Sequence, residues 1–312
     1  MTGTAFFTHS DGLSHVTPAG HPERAARLET VIDTLSAPEF DALDRREAPI
    51  AAEAEILRCH PESYLNRIRA AEPARGSRQI DADTHLSPGS VRAALRAAGG
   101  CVAAVDAVLD GQVGNAFVGC RPPGHHAERQ TAMGFCLFGN AAIAAKRALD
   151  HHGLGRVAVL DFDVHHGNGT QDILWEEPRA LFASSHQMPL YPGTGGPEER
   201  GAHDNVLNVP LDPGTGGAAM RRAWDGIILP AVAAFRPELV IVSAGFDAAR
   251  ADPLAQLEWE AGDFRWLTGR ICDLAAGICG GRVVSTLEGG YDLQALAAGV
   301  AAHVEVLMER TR

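Results

Sequence analysis

The stretch Val157-Ala-Val-Leu-Asp-Phe-Asp-Val-His-His-Gly-Asn-Gly-Thr170 decides the fold. Its first four residues form an unbroken apolar run, the pattern of a strand buried on both faces of a parallel sheet. Two carboxylates and two imidazoles follow at once, so they emerge at the strand's C-terminal end. In open α/β sheets that edge is where ligands bind. Asp163 and His165 are two residues apart and point the same way on extended backbone. A carboxylate and an imidazole on one side supply two of the three protein ligands that a catalytic zinc needs.

Outward from this stretch the pattern is rhythmic. Apolar spacing predicts helices over 90–109, 140–149, 218–235, 263–277 and 293–308, with a short one beginning at Ile173. Strands are expected over 115–119, 156–160, 181–185, 238–243 and 282–287. Such alternation implies βαβ crossovers and a mostly parallel sheet with helices on both faces. Residues 1–85 are less regular and predict short helices over 28–35 and 61–71 joined by loops. No linker or repeat divides the chain, so one domain over 1–312 is expected. The Gly/Pro-rich stretch 191–201 reads as a surface loop over the site.

Bulk properties narrow the function. The formal net charge is -12, from 27 Lys+Arg against 39 Asp+Glu, which disfavours a nucleic-acid partner. It favours cationic substrates only weakly. The six cysteines include no C-x-x-C pair and read as buried free thiols of a reducing compartment. The N-terminus lacks the basic and apolar regions of a signal peptide, and no apolar run is long enough for a bilayer. A cytoplasmic enzyme without a membrane partner is expected, and a homo-oligomer is compatible with this composition.

Four further segments carry polar chemistry. Arg121-Pro-Pro-Gly-His-His-Ala127 follows the 115–119 strand and puts His125 and His126 at the same edge, where imidazoles suit proton transfer. Ser243-Ala-Gly-Phe-Asp-Ala-Ala-Arg-Ala-Asp-Pro253 brings Asp247 and Asp252 there. Leu287-Glu-Gly-Gly-Tyr-Asp292 brings Tyr291, and Gly134-Phe-Cys-Leu-Phe-Gly-Asn140 offers Phe135 as a channel wall. Singly, each has a plain structural reading, as a helix cap, a turn or a surface pair. Four at successive strand ends point jointly to a metal-dependent site.

With these motifs the chain resembles the arginase-related histone deacetylase superfamily, nearer its class II and bacterial deacetylase-like branches, from about His21 to the last helix. The resemblance implies an α/β/α fold with a parallel, mostly eight-stranded sheet. It implies Asp163, His165 and Asp252 as zinc ligands, His125 and His126 as the tandem pair with His126 as general base and acid, and Tyr291 as oxyanion donor. Asp161 would orient His125. Asp161, Asp163, His165, Ser184 and Ser185 would hold a structural potassium ion. Class I members carry an acid where Asn168 stands here, and some class II relatives replace the tyrosine that this chain keeps. Arg24 resembles an internal arginine facing the acetate exit. Gly134, Phe135, Tyr191, Asp83 or Thr84, and Trp259 or Glu258 are expected around the substrate.

The implied reaction is removal of an acetyl or other short acyl group from an acylated lysine, or from an acetylated polyamine. A three-ligand zinc with an open position polarises a carbonyl and activates water, and the oxygen-rich ligand set also suits iron(II) or cobalt(II). A two-manganese ureohydrolase is the alternative within the same fold, but its Asp-x-His-x-Asp pattern is missing after His165. A silent binding module would be expected to lose a ligand or the tyrosine.

Overall fold

The computed structural model describes residues 3–311. Its centre is an eight-stranded sheet, parallel throughout, in the order β2-β1-β5-β10-β9-β6-β7-β8. The strands are β1 (Thr4–Thr8), β2 (Asp44–Glu47), β5 (Asn115–Val118), β6 (Val157–Asp161), β7 (Ala180–Gln187), β8 (Val206–Leu211), β9 (Leu239–Ala244) and β10 (Val283–Leu287). A separate antiparallel pair joins β3 (Arg78–Gln79) to β4 (His85–Leu86). The helices are α1 (Ala25–Thr34), α2 (Glu53–Ile56), α3 (Glu62–Ala71), α4 (Ser90–Leu109), α5 (Asn140–Asp150), α6 (Asn168–Leu174), α7 (Gly217–Ala223), α8 (Leu229–Phe235), α9 (Ala261–Cys279) and α10 (Leu293–Glu309).

Strand periodicity produces the three layers. Val157 and Val159 of β6 enter a core with α4 and α5, whereas Ala158 and Leu160 enter a second core with α9 and α10. On β9, Leu239 and Ile241 share the first core, and Val240 and Val242 the second. Both faces of the sheet are therefore dry, which accounts for the continuous apolar runs. From β5 the chain passes to β6, moves outward through β7 and β8, and returns to lay β9 and β10 between β6 and β5. That return places the turns after β5, β6, β9 and β10 side by side at one rim.

Three strands of the eight-stranded sheet depart from the sequence expectation. β1 and β2 lie where the sequence predicts helices and loops, and β8 lies where it predicts a connection. β2 is Asp44-Arg-Arg-Glu47, largely exposed, and forms an edge by parallel pairing with β1. β8 is the other edge and tolerates Pro210 there. The helix expected over 218–235 is interrupted by a π-helical turn, Trp224–Ile228, because Pro230 near the start of α8 has no N–H to donate. The short helix expected from Ile173 instead begins at Asn168 and ends at Leu174. Among the described residues, no helix is long and apolar enough to cross a membrane.

Candidate active site

The histidine pair is held by its own backbone. Gly124 N–H and His125 N–H donate to Glu288 Oε2 at 2.7 and 3.1 Å, so the turn after β5 is pinned to the turn after β10. His125 Nδ1 lies 3.0 Å from Asp161 Oδ2. His126 Nδ1 lies 2.8 Å from Asn168 Oδ1, and Asn168 Nδ2 donates to Glu128 Oε1 at 2.9 Å. The two rings are 4.0 Å apart between centroids. Burial alone would lower His125, but the carboxylates of Asp163 and Asp161 outweigh it and push the imidazole up to about 10. Burial and the neighbouring His125 and His165 hold His126 well below the usual histidine range. The surroundings therefore push the two rings in opposite directions, His125 up and His126 down.

Asp163, His165 and Asp247 are buried, and their ligating atoms all lie within 4.8 Å of one another. The third ligand expected from the sequence is Asp252, whereas this cluster contains Asp247. Asp247 Oδ1 accepts Val164 N–H at 3.0 Å, and Oδ2 lies 3.2 Å from His165 Nδ1. Asp252 stands beside it, taking N–H bonds from Leu254 at 3.0 Å and Tyr291 at 2.7 Å. Burial, and then the charge of Asp247, pushes Asp252 up to about 7. Burial, and then Asp163, also raises Asp247. Three buried acids around an imidazole repel one another unless a cation or protons intervene, and carboxylate plus imidazole is a zinc-type donor set. Gly289 keeps the space between them open: a Cβ there would strike the carboxylates of Asp247 and Asp163. The donor set thus fits a divalent metal.

Of the residues expected around a potassium ion, Ser185 turns its side chain away. Asp161 Oδ1 accepts Asp163 N–H at 3.0 Å, and Ser184 Oγ lies 2.9 Å from His186 Nδ1. Ser185 is the next residue on β7, so its side chain faces the other layer, where its Oγ accepts from Trp224 Nε1 at 3.0 Å. The Ser185 hydroxyl is therefore not beside the Ser184 hydroxyl.

A cavity of about 250 Å³ leads to these groups and is lined by Asp83, His126, Gly134, Phe135, His165, Leu190, Tyr191, Leu254 and Tyr291. Tyr191 stands edge-on to His126 at 5.2 Å, and Phe135 edge-on to Tyr291 at 5.8 Å. Asp83 Oδ1 accepts Gly134 N–H and Thr84 Oγ1 accepts Phe135 N–H, both at 3.1 Å. Those bonds hold Gly134 and Phe135 at φ of 54° and 69°. Trp259 is not in this channel. It is 1 % exposed in the core, packed on Phe264, because its backbone N–H donates to Ala248 O and fixes it beneath the turn. Glu258 is exposed outside. The residue after the Asp-Pro step that reaches the channel is Leu254.

Arg24 is exposed. The internal arginine is Arg27, fully buried, donating to Gly290 O at 2.6 Å and Glu288 O at 2.5 Å. Its guanidinium sits 4.8 Å from the Tyr291 ring centroid. Glu23, one helical turn earlier, bonds Arg27 at 3.2 Å and also pairs with the buried Arg121. A polar face running through Glu23 and Arg27 beside the apolar Leu28 and Val31 is the sequence signal that locates this layer.

The fold and site define an α/β/α protein with a buried carboxylate–imidazole centre at the C-terminal rim of its sheet. A histone deacetylase domain pattern matches residues 21–307. A histone deacetylase-like amidohydrolase of Pseudomonas aeruginosa is 44% identical, over 88% of this chain and 73% of that one. A probable deacetylase of Archaeoglobus fulgidus is 40% identical, over 94% of this chain and 82% of the other. The crystal structure of the HDA15 HD domain superposes with a TM-score of 0.94 at 34% identity, covering 99% of this chain and 88% of that one. The chain belongs to the histone deacetylase family.

Proposed function

We propose that the chain is a single catalytic domain that removes an acetyl or other short acyl group from an acylated lysine side chain. The observation that carries this is convergence: His126, His165 and Tyr291 face one narrow channel whose floor is the Asp163 cluster. Asp163, His165 and Asp252 would hold a zinc ion, with Asp247 bracing His165. A zinc ion there supplies Lewis acidity for an amide carbonyl and for a water molecule. Iron(II) or cobalt(II) suits the same donors. Asp252 is preferred to Asp247 as third ligand because it is the less deeply buried of the two and adjoins the channel residues Leu254 and Tyr291.

The chain's own residues then divide the work. With the proton on Nδ1, toward Asn168, His126 would offer Nε2 to the attacking water. His126 takes a proton from that water and delivers it to the leaving amine, while His125, oriented by Asp161 at 3.0 Å, stands beside it. The Tyr291 hydroxyl donates to the carbonyl oxygen as charge develops there. Phe135 and Tyr191 flank the aliphatic stem, with Gly134 between Phe135 and His126, and Asp83 stands at the lip. Asp161, Asp163, His165 and Ser184, with backbone carbonyls, would hold a potassium ion.

An acetylated polyamine is the second reading, supported by the acidic chain and by Asp83. Leu254 weighs against it, because an apolar wall offers nothing to a second ammonium within the channel. Acetate release from an acetyl-lysine peptide and from an acetylated polyamine, with and without chelator, tests both. Chelator-sensitive turnover favouring the peptide is expected. Turnover of the polyamine alone would select the second reading, and turnover of neither would overturn the first.

A further inference from the structure

We propose that Glu128 is a positioning residue that fixes the proton of His126 through Asn168. This rests on the reading of His126 as the base but is tested independently of turnover. A carboxamide is ambiguous at its end: it can present an oxygen or an NH₂ group to its neighbour. If Asn168 turned its NH₂ to His126, Nδ1 would accept and the ring proton would sit on Nε2. The channel would then face an N–H instead of a lone pair. Nothing in the His126–Asn168 contact alone forbids that.

The other end of the amide decides. Glu128 Oε1 lies 2.9 Å from Asn168 Nδ2, and a carboxylate oxygen can only accept. Met133 Sδ, a weak acceptor, lies 3.3 Å from the same nitrogen. Both neighbours of Nδ2 therefore demand a donor, which leaves Oδ1 for His126 at 2.8 Å and puts the proton on Nδ1. A flipped amide would set Oδ1 against the carboxylate.

The carboxylate is itself held in place. Glu128 N–H donates to Thr131 O at 3.0 Å, and the next residue, Arg129, donates through its N–H to Asp172 Oδ2 at 2.8 Å on α6, the helix that Asn168 opens. Glu128 thus travels with both partners of the relay: it is two residues from His126 and tied to α6. Its charge acts one hydrogen bond farther from the ring than an acid at position 168 would, so it orients the base while adding less to its proton affinity.

The test uses the full-length metal-loaded protein and three variants. Ring ¹⁵N spectra, assigned by His126→Ala, should show the Nδ1–H tautomer for His126 in the wild type and a mixture in Glu128→Ala. Glu128→Ala should lower kcat about 10–100-fold with KM within roughly threefold. Glu128→Gln, which keeps an accepting oxygen, should recover most of the tautomer and of kcat. In an Asn168→Asp background the acid accepts from His126 directly, so adding Glu128→Gln should raise kcat. An unchanged tautomer in Glu128→Ala, or equal losses on Glu128→Gln in both backgrounds, would overturn the proposal. If Glu128→Ala does not fold, the tautomer of Glu128→Gln and the sign in the Asn168→Asp background still decide. A tautomer change in a protein inactive on every amide would sink the proposed function and leave this inference standing.

Discussion

Gly134→Ala separates strain from chemistry. Gly134 sits at φ 54°, and a Cβ there would meet Cδ2, Cγ and Cβ of His126. An L-residue in the left-handed region costs about 1–2 kcal/mol. At roughly 2–4 °C per kcal/mol this lowers Tm by about 2–8 °C. The clash adds a second, local effect. The ring must retreat by about 1 Å while its Nδ1 is anchored to Asn168, and a misplacement of that size costs about 10²-fold in rate. The expected outcome is a folded protein with kcat down about 10²-fold by acetate release and KM little changed. Gly153→Ala is the control: Gly153 has φ 71° and nothing within 4 Å of where the alanine methyl would stand, so it shares the strain without the clash. It should lose Tm and keep kcat. If Gly134→Ala kept kcat within about threefold of the wild type, the placement of His126 would not depend on this contact and the reasoning would fail.

Tyr291→Phe removes one hydroxyl and keeps the ring beside Arg27 and Phe135, so kcat should fall about 10²–10³-fold with metal content and Tm unchanged; near-normal turnover would remove Tyr291 from the chemistry. Asp252→Asn should lose more bound metal than Asp247→Asn by elemental analysis, and the reverse order would make Asp247 the ligand. Glu23→Gln leaves the buried Arg27 and Arg121 without their shared anion and should destabilise by about 3–5 kcal/mol in urea at neutral pH. Burial would raise the Glu23 carboxyl, but Arg121 and His15 hold it well below its ordinary 4.5. Its contribution is therefore full above that pH and lost as the solution is acidified, so the gap between wild type and variant should narrow below about pH 4.5; a constant gap would refute the assignment.

The rim is legible where strand and turn announce themselves together. The run 157–160 is apolar on both faces, and the residues after it carry the ligands, so alternation alone places Asp163 and His165. β2 cannot be read this way, because its charged sequence forms a strand only through β1 beside it. Arg27 escapes the sequence reading because apolar spacing starts the first helix at residue 28; it begins at 25, which brings Arg27 into the buried face with Leu28 and Val31. Trp259 looks like a gate by its distance along the chain from Asp252, but the bridge between Ala249 and Trp259 folds that segment back under the turn and leaves Leu254 outermost. Asn168 is recognisable as a neutral partner for His126, whereas Glu128 acts through a bond that joins two separate turns.

The two sheet edges have a consequence for how copies of this molecule meet. An open strand edge is a template on which another chain can crystallise its own backbone. At one margin Asp44, Arg45, Arg46 and Glu47 surround the free amides with charge; at the other, Pro210 deletes a donor from the row. Neither margin invites a ninth strand. Folded copies of this molecule are thereby steered to meet through helices or loops.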